Sequence, residues 1–304
     1  MYLNKVINKS INPSSISNYI KSLISLMKPR VMSLVIFTCA VGFLTSDPSL
    51  KTLNAIISII LVAMGAGAAG CLNMWYESDL DALMTRTCLR PIPTGKVNKK
   101  QALTFGILLS IFSVGALYYY TNFLSAFLLF FTIAFYLFVY TIWLKRKTPQ
   151  NIVIGGVAGS LPPVIGWSIS TNSISLVSIS LFLIIFFWTP SHFWALSLYK
   201  SEDYRKAKIP MLPITSGVRT TKFNILVYSI ILFPIALSPY FFNYSGLIYF
   251  ILSILLSGYY VFISHKLFRE KNSVLEKKLA SKLFGYSILY LFMIFTSILI
   301  DKFI

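Results

Sequence analysis

Apolar residues fall in nine long runs, at about 31–46, 53–72, 102–120, 123–144, 151–170, 175–198, 223–241, 246–264 and 283–300. Short polar stretches separate them. Each run is close to the ~20 residues an α-helix needs to cross a bilayer. The runs are continuously apolar rather than alternating, which favours helices over a β-barrel. The pattern predicts an all-α polytopic membrane protein with nine transmembrane helices. Composition agrees: 56% of the 304 residues are hydrophobic and 12% are charged, about half the charged share of a soluble domain.

The net charge of +18 would suit nucleic acid, but its placement excludes that partner. The N-terminus and every second loop hold all Lys and Arg residues except Lys51 and Lys302. This asymmetry is the positive-inside pattern. It predicts a cytoplasmic N-terminus, an outer C-terminus and a basic inner face suited to anionic lipid. Seven of the nine acids share that inner side, so the chemistry is expected there. Residues 1–30 carry no acid and no apolar secretory core. They are read as a cytoplasmic tail leading into an interfacial amphipathic stretch, Ile16 to Met27. Residues 31–304 form one nine-helix domain, with inner catalytic loops at about 73–100 and 199–222. The third inner loop, His265 to Lys282, is read as an exposed basic helix with a solvated face. Cys39, Cys71 and Cys88 are read as small buried hydrophobes plus one free thiol.

The most informative polar stretch is Asn73-Met74-Trp75-Tyr76-Glu77-Ser78-Asp79-Leu80-Asp81, directly after the second run. Acids at the edge of hydrocarbon persist mainly for function. Asn73, Glu77 and Asp81 are four apart and line one face of a helix. An amide and two carboxylates suit a hard cation such as Mg²⁺, which leaves positions open for phosphate oxygens. Asp79 stands in support. Arg86, Arg90, Lys96, Lys145 and Arg146 are candidate diphosphate cations, since guanidinium and ammonium groups match phosphate. Lys28-Pro29-Arg30 is either an anchor or a phosphate ligand.

The second loop echoes the first. Both open with acids past an apolar run, Glu202-Asp203 in the second. Both continue to a proline pair and a glycine: Pro91, Pro93 and Gly95, then Pro210, Pro213 and Gly217. Such repeats commonly place a substrate site at their interface. Asp203 is a candidate metal ligand or proton acceptor, with Lys200 near it. His192, between Trp188 and Trp194 in the sixth run, is the candidate contact for a flat unsaturated ligand. Gly155, Gly156 and Gly159 are expected to permit close helix packing. Pro162-Pro163 is expected to bend the fifth run.

These residues together resemble a known family. Asn73-x3-Glu77-x3-Asp81 is similar to the N-x-x-x-D-x-x-x-D motif of the UbiA superfamily of intramembrane prenyltransferases. Further stretches resemble its protohaem IX farnesyltransferase (haem O synthase) branch. They are Lys28-Pro29-Arg30, Asn73 through Pro93, Asn151 through Trp167, Trp188 through Leu196, Asp203-Tyr204 and Ile209 through Pro213. The resemblance implies nine helices around a central cavity. It implies a Mg²⁺-dependent reaction of haem b with farnesyl diphosphate and water, yielding haem O and diphosphate. It also implies haem contact by His192 and Trp194, a bacterial inner membrane (or its mitochondrial equivalent), and a haem O oxygenating enzyme as a partner. Two departures stand out. Glu77 replaces the usual Asp, and the second D-x-x-x-D keeps only Asp203, with Tyr199 and Ala207 four residues away. The rival readings are a quinone or chlorophyll precursor as acceptor, a proton-coupled transporter, and a non-catalytic haem chaperone.

Overall fold

A computed structural model describes residues 16–46 and 52–304. The predicted tail over residues 1–15, and Lys51, lie outside the described residues. The elements in order are α1 (Ile16–Leu26), α2 (Pro29–Thr45), α3 (Thr52–Tyr76), α4 (Ser78–Leu83), α5 (Lys99–Tyr120) and α6 (Phe123–Ala134). A π-helical segment, Phe135–Leu144, continues α6. Then come α7 (Asn151–Ser160), α8 (Pro162–Thr171), α9 (Leu176–Tyr199), α10 (Ser201–Lys206), α11 (Leu212–Thr215), α12 (Val218–Phe241), α13 (Leu247–Arg269) and α14 (Ser273–Phe303).

Among the described residues, eight helices are long and apolar enough to cross a membrane, or nine when α1 and α2 count together across their 56° bend. The fifth run is one span, α7 plus α8, interrupted at Leu161 before the proline pair. Local chemistry sets several boundaries. Asn98 and Gln101 form a capping box that starts α5, and Ser175 and Ser178 do the same for α9. Asn122 caps α6, and its amide also donates to the Ser168 carbonyl at 2.8 Å, tying α6 to α8.

The interior has two main apolar groups. One joins α2, α3, α5, α6 and α8 around Phe43, Leu72, Leu129 and Ile165. The other joins α9, α12, α13 and α14 around Trp194, Tyr249, Tyr290 and Phe295. Helix α2 serves both, because Cys39 and Phe43 belong to the first group and Val41 to the second. The α2–α8 crossing is backbone on backbone. A Cβ on Gly42 would lie 2.1 Å from the Pro163 oxygen, and one on Gly166 would lie 1.9 Å from the Cys39 oxygen. Large side chains such as Leu53, Ile111, Phe127 and Leu255 remain exposed on outer faces, as lipid contact requires.

The third inner loop is helical and mostly exposed, its lysines and Arg269 included, with one polar tie to the interior. It is mostly the end of α13 and the start of α14. Lys222 at the base of α12 is buried, and it donates to Glu276 Oε2 and to the Glu270 carbonyl, both at 2.7 Å. Burial of the lysine requires a partner, and this loop supplies it. Helix α1 is also more than a lead-in: Leu26 is fully buried with Cys71, Met74 and Ile92.

Candidate active site

Helix α3 ends at Tyr76, but the ladder runs on through the break. Glu77 N–H donates to the Asn73 carbonyl at 2.9 Å and Asp81 N–H to the Glu77 carbonyl at 2.8 Å. The four-residue spacing therefore keeps one face. Asn73, Glu77 and Asp81 are all buried.

Each rung meets a cation from a different part of the chain. Lys28, at the α1–α2 bend, donates to Asn73 Oδ1 at 2.7 Å. Lys145, just past the π segment, meets Glu77 Oε2 at 2.5 Å. Arg90, in the loop after α4, places Nη1 at 2.7 Å from both Asp81 oxygens. Outside the ladder, Arg146 grips Asp79 as a two-pronged fork at 2.8 and 3.0 Å. Partial burial pushes the Asp79 carboxyl up, but the Arg146 hydrogen bonds outweigh it and hold it below its ordinary value. The same hydrogen bonds raise Arg146.

The π segment explains how Lys145 arrives. In an α-helix, at about 100° per residue, Tyr136 and Lys145 would face opposite ways. With i→i+5 bonding and roughly 4.4 residues per turn they share a face. The wide turn is visible in Lys145 N–H donating to the Tyr140 carbonyl at 2.9 Å. Thr141 shares this face; its hydroxyl accepts from Asn73 Nδ2 at 3.1 Å and donates to the Tyr136 carbonyl at 2.8 Å. The Tyr136 and Tyr140 rings stack with centroids 5.2 Å apart. Lys145 Nζ lies 5.6 Å from the Tyr140 centroid. Gly155 of α7 makes room for that ring: a Cβ there would sit 2.3 Å from it. Gly156 lies close to Thr189, whereas Gly159 faces open space.

The two inner loops meet. Leu80 and Met84 pack with Tyr204, Ala207, Ile209, Met211 and Ile152 in a small apolar group that Phe193 joins. Their echo extends to structure: α4 and α10 are both six-residue helices with acids in the first turn. Gly95 and Gly217 both take positive φ, 75° and 85°, which favours glycine. Asp203 is half-buried and forms no ion pair among the described residues. Arg86, Lys96 and Lys200 are exposed and likewise make no pair with an acid there.

His192 and Trp194 are two apart on α9 and point to opposite faces. His192 stacks between Trp188 (4.3 Å) and Phe284 (4.6 Å). Its Nδ1 lies 2.5 Å from Ser287 Oγ. That hydroxyl donates its one hydrogen to the Phe284 carbonyl at 2.6 Å, so it accepts from Nδ1–H. This leaves the His192 Nε2 lone pair for a ligand. Trp194 is instead buried edge-on to Tyr228, 5.2 Å away.

A cation fits the ladder on one observation. Glu77 Oε1 is a buried acceptor with no hydrogen-bond partner, a costly condition that a positive ion would relieve. Among the described residues no three His, Cys, Asp or Glu side chains converge. The donor set is therefore two carboxylates and an amide, which suits Mg²⁺ better than a transition metal. Thr141, Tyr136 and the Lys28–Asn73 bond were not legible beforehand, because each depends on which spans become neighbours.

The chain belongs to the UbiA prenyltransferase family, whose model matches residues 34–289, and with its helical layout this makes it an intramembrane transferase of prenyl groups. The chain is a multi-pass integral membrane protein. Protoheme IX farnesyltransferase of Pelagibacter ubique (strain HTCC1062) is 62% identical over 99% of each chain. The protein of the same name from Parvibaculum lavamentivorans is 49% identical over 91% of this chain and 87% of that one. The solved digeranylgeranylglyceryl phosphate synthase shares the fold with a TM-score of 0.78 at 17% identity, covering 93% of this chain and 98% of that one. A UbiA homolog from Archaeoglobus fulgidus bound to DMAPP and Mg²⁺ superposes with a TM-score of 0.64 at 17% identity, covering 89% and 99%.

Proposed function

We propose that this protein transfers the farnesyl group of farnesyl diphosphate to a vinyl group of haem b, with addition of water, giving haem O and diphosphate. The observation that carries the chemistry is the buried Asn73–Glu77–Asp81 ladder with its bare carboxylate oxygen and its ring of Lys28, Lys145 and Arg90. The name shared by the relatives supports haem as acceptor.

Asn73, Glu77 and Asp81 would hold Mg²⁺, which when bound neutralises charge on the departing diphosphate. Lys28, Arg90 and Lys145 bind the diphosphate oxygens, and Arg86, Lys96, Arg146 and Lys200 form an outer basic rim. The carbon–oxygen bond breaks with its electron pair leaving on diphosphate. The stacked faces of Tyr136 and Tyr140 stabilise the positive allylic carbon. The vinyl carbon attacks that carbon. Water then adds to the cation left on the porphyrin side chain, and its proton passes to an acceptor, for which Asp203 is the candidate. His192 offers Nε2 to the haem, whereas Trp194 supports its wall from the core. The apolar spans restrict water until the new bond has formed. We place the protein in a bacterial cytoplasmic membrane with the basic loops inside, and an oxygenating enzyme would receive the product.

The test is purified protein with farnesyl diphosphate, Mg²⁺ and equimolar haem b and 4-hydroxybenzoate, followed by product mass spectrometry. Farnesylated, hydrated haem alone is expected. Prenylated benzoate would overturn the choice of acceptor, and no prenylated product would overturn the transferase reading.

A further inference from the structure

We infer that the ladder carries its own latch, in which Lys28, Lys145 and Arg90 occupy the oxygens of Asn73, Glu77 and Asp81 until a diphosphate draws them away. The inference rests on the prenyltransferase reading and concerns how that site is regulated.

Three observations carry it. The pairing is one to one: three rungs, three cations, from three separate elements. All three rungs are buried, so leaving their oxygens unpaired is costly, and the cations satisfy them. The satisfaction is incomplete in one place. Glu77 Oε1 has no partner, so the latch leaves a foothold for a cation without providing a full site.

Lys145 and Arg90, which neutralise the two carboxylates, and Lys28, which holds the Asn73 amide oxygen, are all suited to phosphate. An entering diphosphate therefore competes for Lys145, Arg90 and Lys28. As they turn toward it, the carboxylates gain negative potential and their affinity for a divalent ion rises. Donor and metal then bind with positive coupling, typically about 5–150-fold, and the coupling is reciprocal. The device keeps metal from settling on an empty site. The π-helical turn is part of it, because that register brings Lys145 onto Glu77.

The test titrates full-length protein in detergent with Mn²⁺ alone, read by electron paramagnetic resonance of free Mn²⁺. Wild type is expected to bind weakly. Lys145→Met is expected to bind at least about 5-fold more tightly, and Arg90→Met to shift the same way should Lys145→Met prove unstable. Lys147→Met removes an equal charge from an exposed neighbour and is expected to change nothing. Adding Glu77→Gln to Lys145→Met should abolish the gain. With farnesyl thiodiphosphate, a slow-ionising donor analogue, wild type should recover tight Mn²⁺ binding while Lys145→Met gains little more. Equal Mn²⁺ affinity in wild type and Lys145→Met, or an equal gain in Lys147→Met, would overturn the latch and leave the transferase standing. No Mn²⁺ binding by any variant, with farnesyl transfer surviving chelation, would overturn the metal assignment and the latch with it.

Discussion

Consider Gly155→Ala, a substitution that touches no reacting group. The added Cβ would meet the Tyr140 ring at 2.3 Å. Ordinary contact begins near 3.4 Å, so the ring or α7 must retreat by about 1.1 Å. Tyr140 cannot move alone: it stacks on Tyr136 and lies beside Lys145, which holds Glu77. Overpacking of this kind costs about 1–3 kcal/mol, offset by about 1 kcal/mol of improved helix propensity. Stability should therefore fall by no more than about 2 kcal/mol. Displacing a positioning surface by about 1 Å can cost ~10²-fold in rate. The expected result is a near-normal melting temperature in detergent with kcat for farnesyl transfer reduced about 100-fold. Gly159→Ala is the control, because its Cβ would meet nothing within 4 Å; it should keep full activity. A Gly155→Ala enzyme within threefold of wild-type kcat would show that the Tyr140 face does not organise the reaction.

Further outcomes follow from other parts of the structure. His192→Ala should weaken haem binding and alter the Soret band, while farnesyl diphosphate affinity stays unchanged; an unaltered Soret titration would remove the haem contact. Lys222→Met strands Glu276 in a mostly buried position and should destabilise the protein by about 3 kcal/mol, with Lys222→Met/Glu276→Gln recovering most of it in thermal melts. Asp79→Asn should cost about 0.2–1 kcal/mol at pH 7, since its fork with Arg146 is half exposed. Because the folded carboxyl lies below its ordinary value, that stabilisation is complete above about pH 4 and is lost as pH falls further. Melts of the two proteins should therefore converge only in strong acid.

The spans were legible because hydropathy is local: a run of about twenty apolar residues declares itself without knowledge of its neighbours. The ladder was legible for a similar reason, since four-residue spacing survives even the break at Glu77. The partners of the ladder were not. Lys28 and Asn73 are 45 residues apart, and Lys145 and Glu77 are 68 apart, so nothing local pairs them. Read alone, the acids looked like open ligands; in the fold a cation covers each. The π segment was hidden as well, because Phe135–Leu144 reads as ordinary apolar helix. In the third inner loop the exposed basic face was legible, but the Glu276 partner was not, because only tertiary packing brings in the buried Lys222. The resemblance implied haem contact by both His192 and Trp194, but two residues on a helix turn by about 200° and face different neighbours. Conversely, the short echo between the two inner loops proved structural, down to the six-residue acidic helices and the positive-φ glycines.

The ladder as a cation and diphosphate site is the centre of the account. Anomalous scattering from a crystal of the protein with Mn²⁺ and farnesyl thiodiphosphate tests it directly. The predicted result is a manganese peak on the carboxylate oxygens of Glu77 and Asp81, with Lys145 turned from Glu77 to the diphosphate. Manganese and diphosphate found elsewhere, with Lys145 still on Glu77, would contradict it.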